Sequence, residues 1–164
     1  MSLRAVSMSN LHALVREAAA SPRRRKNLNL HPAHDDPIQR LFNALEPDSY
    51  VRPHRHARTD VWELLIAVHG RFAALSFETD GQVLNRIEFG ADGDNLGVEL
   101  PPGSCHAVVS LAPGSVLFEV KPGPHEPVAD KDFAAWAPAE GDRAAPRFVE
   151  WYRRAVSGDR PARR

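Results

Sequence analysis

The chain has 164 residues, with 21 basic and 21 acidic side chains, 43% hydrophobic residues and one cysteine. This length supports one domain, and the balanced charge argues against general nucleic-acid binding, which needs a basic domain. No apolar run approaches the ~20 residues of a membrane span, and the first residues do not form a secretory leader. The lone Cys105 cannot form an intrachain disulfide, which suits a reducing compartment. We therefore expect a soluble cytoplasmic protein with no membrane or nucleic-acid partner.

Two helical patterns precede the central part of the chain. Leu11, Leu14 and Ala18 follow the i, i+3, i+7 spacing of a helix, and Pro22 ends that segment. Asp36-Pro37 resembles an N-cap followed by a proline at the first helical position, so it predicts a second helix. The buried stripe of this second helix would comprise Ile38, Leu41, Phe42 and Leu45.

Residues 50–120 divide into short apolar runs separated by turn residues. Asp80-Gly81 favours a tight hairpin turn with positive φ, and Pro101-Pro102-Gly103 marks another turn. The predicted strands are residues 61–69, 71–77, 82–89, 96–100, 105–111 and 115–120. Many short strands at close intervals indicate an antiparallel barrel or jelly roll. Beyond them, a last helix is predicted from Pro146, burying Phe148 and Trp151.

Two histidines and a glutamate predict a metal site. In His54-x-His56, both imidazoles of a strand would point to the same face. Glu63 follows seven positions later, inside an apolar predicted strand, where an unpaired carboxylate would be costly. A metal ion shared with the two histidines would meet this need. The alternative is a buried ion pair with an arginine such as Arg52 or Arg71.

The fourth candidate ligand is His106, which ends the segment Pro101-x-Gly103-x-x-His106. Its neighbour Cys105 should face the opposite side of the strand, so we do not expect a thiolate ligand. Mixed imidazole and carboxylate ligands suit Zn, Fe, Mn, Ni or Co, and the sequence does not choose among them. The sequence thus predicts one divalent transition metal, held by His54, His56, Glu63 and His106.

The two motifs taken together resemble the paired motifs of cupins. The spacing from Glu63 to Gly70 fits the first cupin motif, whereas the gap between His56 and Glu63 is longer than usual. Residues 21–142 also include the segments Arg24-Arg25-x-Asn27-Leu28-Asn29-Leu30-His31, Ser49-Tyr50-x-x-Pro53-His54-Arg55-His56, Phe118-Glu119-Val120-Lys121-x-Gly123-Pro124 and Trp136-x-Pro138-x-Glu140-Gly141. With these segments, the wider sequence resembles the WbuC family of cupin-fold metalloproteins.

The resemblance implies an all-β fold, a single cupin (jelly-roll-like) antiparallel β-barrel with short flanking helices at both ends. We expect an N-terminal helical arm at residues 1–22, the barrel domain at 23–143, and a C-terminal helix with a frayed tail at 144–164.

The basic run at residues 23–26 lacks interleaved aromatic side chains, so we expect a solvated linker there. The alternative is that one of its arginines closes over the barrel mouth to bind a phosphate or carboxylate.

Four further residues are candidates for the cavity of such a barrel. Glu119 and Lys121 lie two positions apart on the last strand and would form either a polar pair for a substrate or a structural salt bridge. Tyr50 and Arg52 would share a face with His54. We assign Glu119 and Tyr50 as candidate catalytic groups for proton transfer, and Arg52 and Lys121 as candidate substrate-binding groups. Loop or structural roles are expected for the remaining histidines, His12, His31, His34, His69 and His125.

Three functions remain open. Because WbuC-like proteins are associated with surface-polysaccharide biosynthesis, the resemblance favours a metal-dependent isomerase or epimerase acting on a carbohydrate or sugar-nucleotide substrate. An iron(II) dioxygenase and a non-catalytic module that binds a small acidic ligand through its metal are the alternatives.

The second face of the Glu63 strand is also apolar, with Leu64, Ile66 and Val68, and needs a cover. Since cupins often dimerise through such sheets, we expect a homodimer.

Overall fold

The computed structural model describes residues 3–162, which fold into eight strands flanked by two α-helices. None of the helices in this described part is long and apolar enough to cross a bilayer. The elements in chain order are α1 (Met8–Ala20), β1 (Arg25–Asn29), β2 (Ile38–Leu45), β3 (Glu63–His69), β4 (Arg71–Phe77), β5 (Val83–Gly90), β6 (Gly97–Leu100), β7 (Cys105–Ser110), β8 (Ser115–Pro122), a short 3-10 helix (Asp130–Asp132) and α2 (Ala145–Arg154).

The strands form two antiparallel sheets. The larger sheet has the order β1-β2-β8-β3-β6, and the smaller sheet has the order β5-β4-β7. Leu65 and Leu117 of the larger sheet belong to the same buried core as Phe72, Ala74 and Phe89 of the smaller one. The prediction of a mostly β, antiparallel fold with a helix at each end is confirmed. The strand pairings of the described residues produce two sheets and do not close into one continuous barrel.

Helix α1 lies against the outer face of the larger sheet. Its start is fixed by a capping box, in which the Ser7 hydroxyl accepts from the backbone N–H of Asn10 and the Asn10 side chain accepts from the Ser7 N–H. Leu11, Leu14 and Ala18 are buried against Ala44 and Val116 of the sheet. The predicted first helix is therefore confirmed, together with the face that it buries.

The second predicted helix is wrong, because Ile38–Leu45 forms strand β2. The Asp36 carboxylate does accept a hydrogen bond from the Ile38 N–H, at 3.0 Å, as a cap would. The following backbone pairs instead with β1 on one side and with β8 on the other. The same local signal thus begins a strand, since two neighbouring strands supply the hydrogen bonds that a helix would have made internally.

Strand β1 occupies the segment that we expected to begin as a solvated linker. Arg25 is only partly exposed, and its guanidinium donates to the backbone oxygen of Tyr50 at 2.7 Å and to Glu140 Oε2 at 2.9 Å. Arg23 forms a second ion pair with Glu140, at 2.6 Å. The expectation of a linker is corrected accordingly: the basic run leads into an edge strand, and one carboxylate holds two of its arginines.

Helix α2 covers the smaller sheet at the other end of the chain. Phe148, Val149 and Tyr152 are buried in a core cluster with Leu75 and Phe77 of β4. Pro146 lies in the first turn of the helix, where its missing N–H leaves no intrahelical bond unmade. The predicted C-terminal helix is confirmed.

Candidate metal centre

Three histidines from two distant segments meet at one end of the larger sheet. The ring centroids of His54 and His106 are 4.6 Å apart, and that of His56 lies 5.4 Å from His54 and 5.8 Å from His106. One ring nitrogen of each residue can be chosen so that all three lie within 4.8 Å of one another. The three imidazoles that the sequence singled out are therefore close enough to share one ion.

Backbone hydrogen bonds join the two segments that carry these histidines. The His54 N–H donates to the carbonyl of His106 at 3.1 Å, and the His106 N–H donates to the carbonyl of His54 at 2.9 Å. This bridge joins a chain segment outside the regular strands to the start of β7. The spacing of the two imidazoles is thus set by paired main-chain hydrogen bonds rather than by the side chains.

The orientation of two rings suits metal binding. Nδ1 of His54 lies 3.0 Å from the carbonyl oxygen of Arg52, and Nδ1 of His106 lies 3.0 Å from the carbonyl oxygen of Ser104. A carbonyl can only accept, so each Nδ1 carries a proton and Nε2 is the nitrogen available to a metal ion. Burial alone would lower the pKa of His106, but the hydrogen bond and the charge of Glu63 raise it, so a metal ion would replace the proton on His106 Nε2. Burial, followed by the neighbouring His106, lowers the pKa of His54 to about 3, so its imidazole is neutral, as a metal ligand must be.

Glu63, the first residue of β3, is buried among these rings. Its Oε1 lies 2.7 Å from His56 Nε2, and its Oε2 lies 3.2 Å from His106 Nε2. Burial alone would raise the pKa of Glu63, but the charge of Lys121 and the hydrogen bonds to the two imidazoles hold it well below its ordinary value. Glu63 is therefore an ionised carboxylate that touches two of the three histidines, although the set of mutually close nitrogens does not include it.

The cation that pairs with Glu63 is Lys121, and neither Arg52 nor Arg71 does so. Lys121 Nζ lies 2.7 Å from Glu63 Oε1 and 2.7 Å from Glu119 Oε1. Burial alone would lower the pKa of Lys121, and the two carboxylates raise it instead. The pair predicted on β8 thus forms a buried salt bridge and connects to the candidate metal centre through Glu63.

A cavity of about 410 Å³ lies over the inner face of the larger sheet. His54, Glu63 and His106 line it together with Glu119 and Lys121. Its volume is within the range of pockets that take small organic ligands. A cavity of this kind beside a charged, hydrogen-bonded cluster allows a bound molecule to reach both the imidazoles and the Lys121 pair.

Tyr50 and Arg52 do not line this cavity. The Tyr50 hydroxyl donates to the carbonyl of Pro138 at 2.9 Å, and its ring stacks on Tyr152 in the core under α2. The Arg52 guanidinium lies 4.7 Å from the centre of the Phe133 ring. The predicted placement of both on the face of His54 is wrong: it relies on strand alternation, and residues 50–53 are not in a strand.

Several cavity residues were not assigned from the sequence. Asn43 of β2 donates to Glu119 Oε2 at 2.6 Å, and Asn27 and Asn29 of β1 face the same space. The alternation of Gln39, Leu41, Asn43 and Leu45 on β2 carried this signal, but the helical interpretation concealed it. His31 was expected to form a loop hydrogen bond, and its Nδ1 does lie 3.0 Å from the Arg40 N–H.

Comparison with known proteins gives matches of fold and of family. The chain is similar to TT1209 from Thermus thermophilus, with 13% identity, 73% of this chain and 97% of that one covered, and a TM-score of 0.51. An HTH_3 family transcriptional regulator from Vibrio cholerae has 16% identity, coverages of 70% and 60%, and a TM-score of 0.50. A Cupin 2 conserved barrel domain protein from Salinispora arenicola CNS-205 has 25% identity, coverages of 75% and 89%, and a TM-score of 0.46.

These structural similarities concern the fold alone, and the resemblance to the WbuC family stays a prediction. No curated protein matches the chain. A family match is present in the sequence itself, over residues 6–89, which span α1 and strands β1 to β5 up to Phe89. The matched family is described as a domain of unknown function, and the chain belongs to this family, DUF6016.

Proposed function

We propose that this chain is a cupin-type metalloprotein that binds one divalent transition metal through His54, His56 and His106, with Glu63 as the fourth ligand. The observation that carries the proposal is the set of three imidazoles whose nitrogens lie within 4.8 Å of one another. Carbonyl oxygens hold the Nδ1 atoms of His54 and His106, so Nε2 of each ring would be the ligand atom, in His106 after loss of the proton that it shares with Glu63. Glu63 adds a negative charge that touches two of the rings.

The donor set fits a divalent transition metal better than Mg²⁺ or Ca²⁺. Imidazole nitrogens suit Zn, Fe, Mn, Ni or Co, whereas the two hard cations prefer oxygen ligands. A metal bound there would supply Lewis acidity toward a carbonyl or hydroxyl oxygen of a substrate. The rest of the chemistry falls to the residues of the chain.

Lys121 and Glu119 are the groups that we propose to act on the substrate. The ammonium of Lys121 lies 2.7 Å from Glu63 Oε1 and 2.7 Å from Glu119 Oε1, and it can donate a hydrogen bond to a substrate oxygen. Glu119 accepts from Asn43 through Oε2, which fixes its orientation in the cavity. A carboxylate held in this way can take a proton from a bound molecule and return it, as an isomerase or epimerase requires.

The substrate that we propose is a small hydroxylated molecule of the sugar class, in line with the resemblance to proteins of surface-polysaccharide biosynthesis. The volume of the cavity, about 410 Å³, accommodates such a molecule, and its lining includes the polar side chains of Asn43 and Lys121 beside Glu119. The single Cys105 supports a location in a reducing compartment, which we propose to be the cytoplasm.

We also propose a homodimer that forms through the outer face of the larger sheet. Leu64 and Ile66 are only partly buried there, and Val68 is 37% exposed, because α1 covers another part of that face. The measurement is the molar mass in solution by light scattering. A mass of about 18 kDa at all concentrations would contradict the dimer.

The test of the metal site compares two histidines of the same cavity. His54→Ala removes an imidazole of the mutually close set, whereas His34→Ala removes an exposed imidazole that lines the cavity outside that set. We expect about one metal ion per wild-type chain by mass spectrometry of the purified protein, a strong loss in His54→Ala, and no change in His34→Ala. Equal metal content in all three proteins would contradict the assignment of the ligands.

A further inference from the structure

Carboxamide side chains of β1 and β2 line one part of the cavity. Asn27 and Asn29 lie two positions apart on β1, so both face the inner side of the sheet, and both line the cavity. Asn43 of β2 is the direct partner of Asn27 across the antiparallel pair. Side chains directly opposite each other have Cβ atoms about 5 Å apart. Three amides are therefore grouped at one end of the cavity, and we call them the amide wall.

Two of these amides have no partner within the protein. Across the described residues, neither Asn27 nor Asn29 makes a side-chain hydrogen bond, whereas the amide N–H of Asn43 is bound to Glu119. A carboxamide offers two N–H donors and a carbonyl acceptor, so it can both give a hydrogen bond to a hydroxyl group and accept one from it. The amide wall thus presents unused hydrogen-bonding capacity to a ligand.

The charged side chains of the cavity, in contrast, are already paired. Arg23 and Arg25 both hold Glu140, and Lys121 holds Glu63 and Glu119. Three cations are therefore matched by three carboxylates. Each of these cations already has a carboxylate partner, so an anionic group on a ligand meets no unpaired cation among them, whereas a hydroxyl group can bond to the free amides.

The strand order of the larger sheet gives the distance that a ligand must span. Lys121 is on β8 and Glu63 is on β3, while the amide wall is on β1 and β2, and the order of these strands is β1-β2-β8-β3. With strands about 4.8 Å apart, β1 lies roughly 14 Å from β3. A molecule that touches both the metal centre and Asn29 must extend across four strands.

We propose that the amide wall is a recognition subsite for the neutral, hydroxyl-rich part of a ligand whose other end lies at the metal centre, and that it selects uncharged sugars over uronates and sugar phosphates. This inference rests on the proposed function for the position of the ligand's other end. Asn27 and Asn29 are the residues that determine this preference, and Asn43 connects the subsite to Glu119.

The experiment measures binding of matched sugars to the full chain after loading with Zn²⁺. The probes are methyl glycosides of glucose, galactose and mannose disaccharides, which are long enough to reach from the amide wall toward the metal centre. Each is measured beside one counterpart with a uronate and one with a 6-phosphate on its non-reducing ring, and titration calorimetry gives the dissociation constants. We expect at least one neutral glycoside to bind more tightly than its two charged counterparts. Asn27→Ala and Asn29→Ala should each weaken that binding roughly three- to tenfold, since each removes one or two net hydrogen bonds.

Lys26→Ala is the matched control, because Lys26 lies on the same strand with an exposed side chain that faces Glu17 on the other side of the sheet. It should leave binding unchanged, and metal content should stay at the wild-type value in all three variants. Asn29→Ser serves as a second variant if Asn29→Ala fails to fold. Tighter binding of a charged sugar, absence of binding by every neutral glycoside, or unchanged affinity in the asparagine variants would overturn the proposal.

The two proposals fail separately. Metal bound without any effect of Asn27 or Asn29 on sugar binding would refute the amide wall alone. Neutral glycosides that bind in a manner dependent on Asn27, to a chain that takes up no metal, would refute the metal centre and support the subsite.

Discussion

Replacing Lys121 with methionine tests whether the Lys121 ammonium offsets the negative charges of Glu63 and Glu119 in the cavity. The Lys121 side chain is 16% exposed, and those of Glu63 and Glu119 are 7% and 12% exposed. Without the ammonium, both carboxylates would be buried without a cation at 2.7 Å. Breaking a buried ion pair by removing one partner costs about 3–5 kcal/mol in the free energy of unfolding. For a chain of this size, that corresponds to a fall in Tm of roughly 6–20 °C.

The assay is urea unfolding of Lys121→Met, with a chelator and then with Zn²⁺. We expect the full loss in the chelator and a smaller loss with Zn²⁺, because a divalent ion beside Glu63 replaces part of the missing positive charge. Lys121→Met combined with Glu119→Gln removes one negative charge as well and should recover part of the stability. Arg160→Met is the control, since Arg160 and Asp80 form an exposed pair, which contributes about 1 kcal/mol or less. If Lys121→Met costs no more than this control, the reasoning about the buried charges is wrong.

Two further predictions concern the fold. Gly70→Ala should destabilise the protein more than Gly103→Ala. Both glycines have positive φ, of 73° and 76°, but a Cβ at Gly70 would overlap Ser115, whereas a Cβ at Gly103 meets nothing within 4 Å. Denaturant midpoints that fall equally in the two variants would refute this prediction. Glu140→Gln should lower Tm at neutral pH. Burial raises the pKa of Glu140, but the hydrogen bond from Arg23 and the charges of Arg25 and Arg23 lower it overall. The stability that the Glu140 charge contributes is therefore present above the ordinary pKa of 4.5, and it is lost as the pH falls through the lower pKa of the folded state. The Tm difference between variant and wild type should therefore shrink in acid, and a constant difference from about pH 7 to about pH 3 would contradict it.

Strands β3 to β8 follow from local sequence signals. Glycine and proline turns separate these runs, and Gly81 has the positive φ that Asp80-Gly81 predicts. Strand β2 carries an alternating pattern, but the start of the segment is ambiguous, because an aspartate that accepts from the N–H two residues on begins a turn as readily as a helix. Only the pairing of β2 with β1 and β8 decides between them, and such pairing depends on residues distant in sequence.

The candidate site shows the same division between local and distant information. The grouping of His54 with His106 could be predicted, since each lies in a short motif of recognisable spacing. The partner of Glu63 could not, because Lys121 reaches it through the register that places Leu64 opposite Val120. The locations of Tyr50 and Arg52 were missed for a related reason: a strand was assumed where the chain is irregular.

The main-chain bridge between His54 and His106 has a consequence for protein engineering. Because two backbone hydrogen bonds fix the distance between these positions, the side chains there can be exchanged without moving the chain that carries them. Substituting cysteine for one histidine would place a softer donor at the same backbone position, with the sulfur nearer the main chain than Nε2 was, and this shifts preference toward thiophilic ions such as Zn²⁺ or Cu⁺. The backbone thus fixes the position of each metal-binding residue, and the choice of side chain there sets which metal is preferred.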